Sequence, residues 1–127
     1  MTGKVLVPVT ANSTSVVFNV ADWLSLSVAV FGTFGSATAV FEVSFVRTNG
    51  TNGTWLPAMA SRSNSSSTQE SGFSALVNTP AYYWYLSPGA PNYFRVRFTA
   101  FTSGTCNVAI CPQQGPVQYL QPVTGVA

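Results

Sequence analysis

Apolar and polar side chains alternate with a period of two residues along most of this 127-residue chain. Successive side chains of a strand point to opposite faces of a sheet, so such alternation predicts strands with one buried face. The clearest runs are 24–30, 38–45, 93–100 and 106–110, and weaker ones are 5–9, 16–20, 54–59, 73–77 and 82–86. No stretch carries a helical stripe, so we predict an all-β chain.

The alternation also predicts which side chains are buried. The apolar positions of the clear runs are Leu24, Leu26, Val28 and Val30; Ala39, Phe41, Val43 and Phe45; Phe94, Val96, Phe98 and Ala100; and Cys106, Val108 and Ile110. Glu42 lies on the polar side of one run, and Arg95 and Arg97 lie on the polar side of another. Opposite charges on facing strands predict a cross-strand ion pair.

Turn-forming residues separate the runs at short intervals. Gly32 to Ser36 breaks the third run from the fourth, and residues 48–54 hold two Asn-Gly pairs suited to positive φ. Residues 102–105 are predicted to join the last two runs as a hairpin. Short strands with turns every 8–12 residues favour an antiparallel sandwich or barrel.

Two segments lack the pattern of a buried strand. Residues 61–71 are polar and rich in serine, so we predict an exposed, mobile loop. The last residues contain prolines and glycines that prevent long regular structure, yet include Val117, Tyr119, Leu120 and Val123. We therefore predict a β-sandwich domain over 1–111, with an extended N-terminal segment, and an extended arm over 112–127. The alternative for that arm is a frayed tail.

Charged side chains make up 6% of the residues, against about 25% in an ordinary soluble domain. The carboxylates are Asp22, Glu42 and Glu70, and there is no histidine. General acid–base catalysis, nucleophile activation and zinc binding depend on such groups, so we expect no enzymatic activity, no metal and no cofactor. The net charge of +2 is too small and dispersed for nucleic-acid binding.

The N-terminal residues show neither a long apolar core nor a cleavage site, and no segment predicts a membrane span. We therefore expect synthesis in a cytoplasm. Cys106 and Cys111 are five residues apart, which places them on opposite faces of one strand. We expect them to act as small apolar side chains, with an intermolecular disulfide as the alternative.

The aromatic run of residues 82–85 is the most prominent candidate binding feature. In a strand it divides into Tyr82 with Trp84 and Tyr83 with Tyr85, and one pair is expected to join the core. Aromatic side chains anchor protein interfaces and stack on sugar rings, so protein contact and glycan binding both remain open. The candidate partner contacts are Tyr82, Trp84, Tyr119, Leu120 and Val123.

Several segments between residues 23 and 111 together resemble a group of tailed-bacteriophage virion proteins with small β-sandwiches. The segments are Gly32-Thr-Phe-Gly35, Ala39-Val-Phe-Glu-Val-Ser44, Gly53-Thr-Trp55-Leu-Pro57, and residues 93–105 with their Arg-Val-Arg strand and Thr-Ser-Gly-Thr turn. Asn-Gly pairs stand where the group commonly has Asp-Gly. The resemblance implies a structural role for Trp55 and the glycines, and no catalytic residue.

The alternation and the turns predict an antiparallel β-sandwich, jelly-roll-like in its topology, and the resemblance implies that it serves as a phage virion protein. The resemblance implies a capsid decoration, or cement, protein that binds the outer shell and bridges subunits of the major capsid protein. A tail, fibre or baseplate component that contacts host glycans is the alternative. The low charge and abundant aromatics favour a homo-oligomer, a dimer or trimer, with no nucleic-acid or membrane partner.

Deletion of residues 113–127 should leave thermal unfolding of the sandwich nearly unchanged and weaken binding to capsids. Ordering an arm costs about 1–2 kcal/mol per backbone residue, so it needs anchors such as Tyr119 and Leu120, each returning about 1.5–3 kcal/mol when fully buried. Calorimetry and co-sedimentation with shells measure the two effects. A truncated chain that no longer folds would place the arm in the core, and full binding would make it a frayed tail.

Overall fold

A computed structural model describes residues 5–21, 23–45, 54–87 and 91–113. Two antiparallel sheets pack together as a β-sandwich, which confirms the predicted fold class. The strands of the described residues are β1 (Val5–Val9), β2 (Ser15–Asn19), β3 (Ser25–Phe34), β4 (Ala37–Ser44), β5 (Leu56–Pro57), β6 (Ala60–Arg62), β7 (Ser65–Glu70), β8 (Gly72–Leu76), β9 (Trp84–Leu86), β10 (Tyr93–Phe101) and β11 (Gly104–Gln113).

The order of the strands is that of a jelly roll. Sheet A runs β1-β11-β3-β9-β6-β7, and sheet B runs β2-β10-β4-β5, with β8 also paired to β4. The strands pair from the two ends of the chain inward: β1 with β11, β2 with β10, β3 with β9 and β4 with β8. This is a long antiparallel hairpin rolled into two sheets, and β5, β6 and β7 are inserted between β4 and β8.

The core lies between the inner faces of the two sheets, where the alternation placed it. Trp84 is fully buried at the centre, with its ring 5.3 Å from that of Phe73 and 5.5 Å from that of Phe41. Leu24, Phe45 and Ala100, which the alternation also predicted to be buried, are exposed. Leu24 and Phe45 lie just outside their strands, and a register shift between Phe98 and Ala100 disturbs the alternation there.

The predicted mobile loop at 61–71 is wrong. This segment completes β6 and forms β7, which pair with each other and extend sheet A beyond β9. Ser61 is buried, and its hydroxyl accepts a hydrogen bond from the Gln69 side chain at 3.3 Å. The serine-rich composition is typical of a loop and does not predict this hairpin. The hairpin is ordered because β6 pairs with β9.

The predicted hairpin between the last two long strands is also wrong, since β10 belongs to sheet B and β11 to sheet A. The connection crosses the sandwich instead. It is held by the neighbouring β3–β4 connection: Thr102 N donates to Ser36 O at 2.9 Å, and Gly35 N donates to Ser103 O at 3.0 Å. Two crossing turns therefore close this end of the sandwich together.

β11 continues to Gln113, so the first two residues of the predicted arm over 112–127 belong to this strand. Pro112 and Gln113 lie beside Leu26 and Ser25 of β3. The rest of the arm, with Tyr119, Leu120 and Val123, lies outside the described residues, as do the Asn-Gly pairs of 48–54. Among the described residues, no helix is long and apolar enough to cross a membrane.

Substitution of Gly104 by alanine should destabilise the sandwich by about 1–3 kcal/mol. Gly104 has φ +95°, and a Cβ atom there would collide with the backbone oxygen of Thr33. Thermal unfolding followed by circular dichroism measures the loss. The control is Ser103→Ala in the same turn, which alters an exposed side chain without backbone strain. Equal melting temperatures for the two variants would contradict this account of the crossing turn.

Candidate interaction surfaces

The sandwich has two different ends. At one end β2, β4, β9 and β11 finish and β3 and β10 begin, and the chain leaves β11 at Gln113. We call this the exit end. The opposite end holds the two crossing turns and the segment 77–83 that leads into β9.

A pocket of about 280 Å³, lined by apolar side chains and by polar atoms, opens at the exit end. Its rim carries three large apolar side chains, Phe45 (54% exposed), Leu56 (48%) and Met59 (54%). Buried Val43 and Leu86 line it as well. Each rim side chain is already about half buried, so its complete burial in an interface would contribute about 1 kcal/mol. The three together make the pocket a candidate anchor for a partner.

The outer face of sheet A carries no charged side chain over β1, β11, β3 and β9 among the described residues. The pairing register puts small side chains at its centre, with Ala109 beside Ala29 and Cys111 beside Ser27. Larger side chains flank them, Leu6 on β1 and Tyr85 on β9. Contact with another protein would therefore desolvate no charge on this face.

The outer face of sheet B holds the predicted cross-strand ion pair, which is confirmed and extended to three residues. Arg95 Nη2 lies 2.8 Å from Glu42 Oε1. Arg97 donates from Nε to Oε1 at 2.9 Å and from Nη2 to Oε2 at 3.0 Å. The Arg95 guanidinium also lies 4.1 Å above the ring centre of Trp55. Trp55 thus supports a charge network, in agreement with its expected structural role.

The hydrogen bond from Arg97 holds the pKa of Glu42 below its ordinary value, with further help from Arg95, while burial acts in the opposite direction. The carboxylate is therefore ionised at neutral pH. It is committed to two guanidinium groups, and its side chain is 13% exposed. The arrangement stabilises the sheet and leaves Glu42 poorly suited to accept a proton from a ligand.

The second carboxylate network ties the inserted hairpin to the core. Glu70 Oε2 lies 2.6 Å from Arg62 Nε and accepts a hydrogen bond from Trp84 Nε1 at 2.7 Å. Burial raises the pKa of Glu70, but the hydrogen bonds from Arg62 and Trp84 outweigh it and leave that pKa below the ordinary value. Arg62 in turn lies 4.3 Å above the ring centre of Tyr82.

The predicted contact residues are in different environments. One pair of the aromatic run is expected to join the core, and that pair is Tyr82 and Trp84. Trp84 is fully buried, so its assignment as a partner contact is corrected: it offers no surface. Tyr82 is half-buried, and Tyr83 is exposed instead. Tyr119, Leu120 and Val123 lie outside the described residues and remain predictions.

The exit-end pocket is not apparent from the sequence. The alternation of β4 predicts that Phe45 is in the core, but the strand ends one residue earlier. Leu56 and Met59 lie in a weak run with no clear face. The signal that could have identified them is their position next to a turn segment, where an apolar side chain has no sheet to cover it.

Neither cysteine is in a disulfide in this structure. Burial raises the pKa of the Cys106 thiol to about 11, so this group stays protonated at neutral pH and acts as an apolar core side chain, as expected. Cys111 lies on the outer face of sheet A and is half-buried. Within the described ranges no three His, Cys, Asp or Glu side chains group closely enough to hold a metal ion.

No family model and no curated protein matches the chain. Solved structures of phage-derived proteins do share its fold. The SPBc2 prophage-derived protein YomS has a TM-score of 0.63 at 16% identity, over 89% of this chain and 97% of YomS. The PBSX exported protein XepA has a TM-score of 0.63 at 18% identity, over 88% of this chain and 39% of XepA. Identities this low establish the fold alone.

Replacing Glu42 by glutamine should lower the free energy of unfolding at pH 7 by about 1.5–3 kcal/mol, because both arginines lose their charged acceptor. A depressed carboxyl pKa contributes stability above the ordinary value of 4.5, and this contribution is lost as the pH falls through the folded-state pKa. The difference between variant and wild type should therefore shrink below pH 4.5. Chemical denaturation at pH 7, 4.5 and 3 measures it.

The matched control is Val17→Ala, which removes a side chain beside Arg95 on the same face and changes no titratable group. Its destabilisation should be the same at every pH. A Glu42→Gln difference that stays constant across this range would show that the ion pair contributes nothing that depends on ionisation.

Proposed function

We propose that this chain is a phage virion structural protein of the capsid decoration type, which binds the outer surface of the shell and bridges subunits of the major capsid protein. The observation that carries the proposal is the pocket at the exit end, with the apolar side chains of Phe45, Leu56 and Met59 exposed around it. It lies at the end of the sandwich from which the C-terminal arm continues.

Two anchors on one end of a small domain give a physical basis for cementing. The pocket holds one coat subunit, and the arm, with Tyr119 and Leu120, reaches a neighbouring one. Once the first contact has formed, the second is an intramolecular event at high effective concentration. Modest contacts then add up to stable attachment, and each attached copy links two subunits.

The distribution of charge supports the same proposal. Glu42 and Glu70, the described carboxylates, are both committed to arginines within the molecule. Over the described residues of β1, β11, β3 and β9, the outer face of sheet A carries no charged side chain, so a coat subunit or a second copy of the chain can cover it with little desolvation cost. We propose a homodimer or homotrimer on the virion. Native mass spectrometry tests this, and monomers without mutual contact on the shell would contradict it.

The fold comparisons add weight to a phage setting. YomS and XepA are named as prophage and PBSX proteins, and jelly rolls recur in viral capsid domains. The virion is the proposed location. The alternative, a tail, fibre or baseplate component, would use the same pocket against a tail protein.

Co-sedimentation with purified shells that lack the protein tests the proposal directly. Met59→Glu should reduce the bound fraction at least about tenfold, since it places a charge in an apolar interface. The matched control is Val77→Glu at the opposite end of the sandwich, where the wild-type valine is 56% exposed. Leu6→Glu on β1, where the leucine is 58% exposed, probes the outer face of sheet A separately. Circular dichroism confirms that all three variants are folded.

Different results overturn different parts of the proposal. Pelleting with isolated tails and never with shells would reject decoration in favour of the tail alternative. If Met59→Glu still binds shells and Leu6→Glu does not, the interface lies on the outer face of sheet A. Failure to bind any virion component would reject the virion role.

A further inference from the structure

A second depression lies on the outer side of sheet A, toward the end opposite the exit end. It has a volume of about 380 Å³, at the small end of the range for small-molecule sites. β3 supplies one wall through Ala29 and Phe31, and the segment of residues 79–83 with Ser63 supplies the other. We call it the Tyr83 groove.

Exposed aromatic rings line the Tyr83 groove. Phe31 is 37% exposed and Tyr83 is 46% exposed, although both are large side chains on or beside a sheet. Tyr82 also lines it; the Arg62 guanidinium lies over its ring, and the ring is perpendicular to that of Trp84. The faces of aromatic rings carry partial negative charge, so they attract the polarised C–H groups of a flat, hydroxylated ring.

Two hydroxyl groups in the groove are oriented by the backbone. Ser63 Oγ accepts a hydrogen bond from Tyr83 N at 3.0 Å, and Thr79 Oγ1 accepts one from Gly32 N at 3.0 Å. Each oxygen is thus engaged as an acceptor, which leaves its hydrogen to donate to a ligand. Ser63 is fixed further because its own N–H donates to Tyr83 O at 2.8 Å.

Of the described residues, those that line the groove carry no charge. The Arg62 guanidinium, which lies over the ring of Tyr82, is paired with Glu70 at 2.6 Å, so its charge is already compensated. An anionic ligand would find no countercharge, and a purely apolar ligand would leave two oriented hydroxyl donors unpaired. The lining therefore favours a ligand that is neutral and rich in hydrogen-bond acceptors.

From this geometry we propose that the Tyr83 groove binds a neutral saccharide. The sugar ring stacks on Tyr83 and Phe31, and its oxygens accept hydrogen bonds from Ser63 and Thr79. The groove and the exit-end pocket lie at opposite ends of the sandwich, so both can be occupied at once. The inference does not depend on whether the chain attaches to a head or a tail, and the free protein suffices to test it.

Nuclear magnetic resonance titration of the isolated ¹⁵N-labelled protein is the test. The probes are methyl glucoside, methyl galactoside, N-acetylglucosamine, maltose and lactose at millimolar concentration, with sialyllactose as the anionic comparison. At least one neutral probe should shift the amide signals of Phe31, Ser63, Thr79 and Tyr83 in a saturable manner. Sialyllactose should bind no more tightly than lactose.

Variants then identify the contacts. Tyr83→Ala should weaken binding of the best neutral probe about tenfold, whereas Tyr83→Phe, which keeps the ring, should bind within about twofold of the wild type. Ser63→Ala, which removes a hydrogen-bond donor, should weaken binding about threefold. Leu6→Ala, another exposed apolar residue of sheet A outside the groove, is the control and should leave binding unchanged. Amide spectra report whether each variant keeps the fold.

Three results would overturn the proposal. The first is that no neutral probe gives saturable shifts. The second is that the shifts map outside the groove, and the third is that sialyllactose binds more tightly than lactose. Loss of shell attachment by Met59→Glu bears only on the proposed virion role, because the saccharide titration uses no virion component.

Discussion

The burial of Trp84 between the two sheets is the interaction on which the rest of the structure depends. Its ring packs against Phe41 of sheet B and Phe73 of β8, so it joins both sheets of the jelly roll. Its indole N–H cannot remain unpaired in the core, and Glu70 accepts it. Glu70 in turn fixes Arg62, and Arg62 covers Tyr82 at the edge of the Tyr83 groove. One buried side chain therefore organises the core, the inserted hairpin and a surface depression.

The charged side chains that the structure describes all form ion pairs within the molecule. Glu42 connects β4 to β10 through Arg95 and Arg97, and Glu70 connects β7 to β6 and β9. Polar groups that are satisfied in this way are unavailable for acid–base chemistry but rigidify the sheets around them. Three surfaces are left for recognition, and none of the described residues that form them is charged. They are the pocket at the exit end, the outer face of sheet A over β1, β11, β3 and β9, and the aromatic groove with its oriented hydroxyls.

Sequence reasoning succeeded where a property belongs to neighbouring residues. Alternation located the strands and the inward faces of β3, β4, β10 and β11, and the ion pair of Glu42 with Arg95 and Arg97 followed from their positions on the polar sides. It failed where a distant strand decides the outcome. The serine-rich segment 61–71 becomes ordered because β9 pairs with β6. The 102–105 turn crosses between sheets because β11 pairs with β1 and β3, far away in sequence.

The sequence by itself determined the all-β class, the strand faces, the shortage of titratable groups and the burial of Cys106, since each follows from side-chain type and a two-residue period. Only the tertiary structure decided which strands share a sheet, that Trp84 is interior while Tyr83 is exposed, and that Phe45, Leu56 and Met59 meet around one pocket. The reason is physical. Alternation specifies two faces for each strand, whereas sheet membership and strand ends are set by long-range pairing, and a surface site forms only where those distant strands converge.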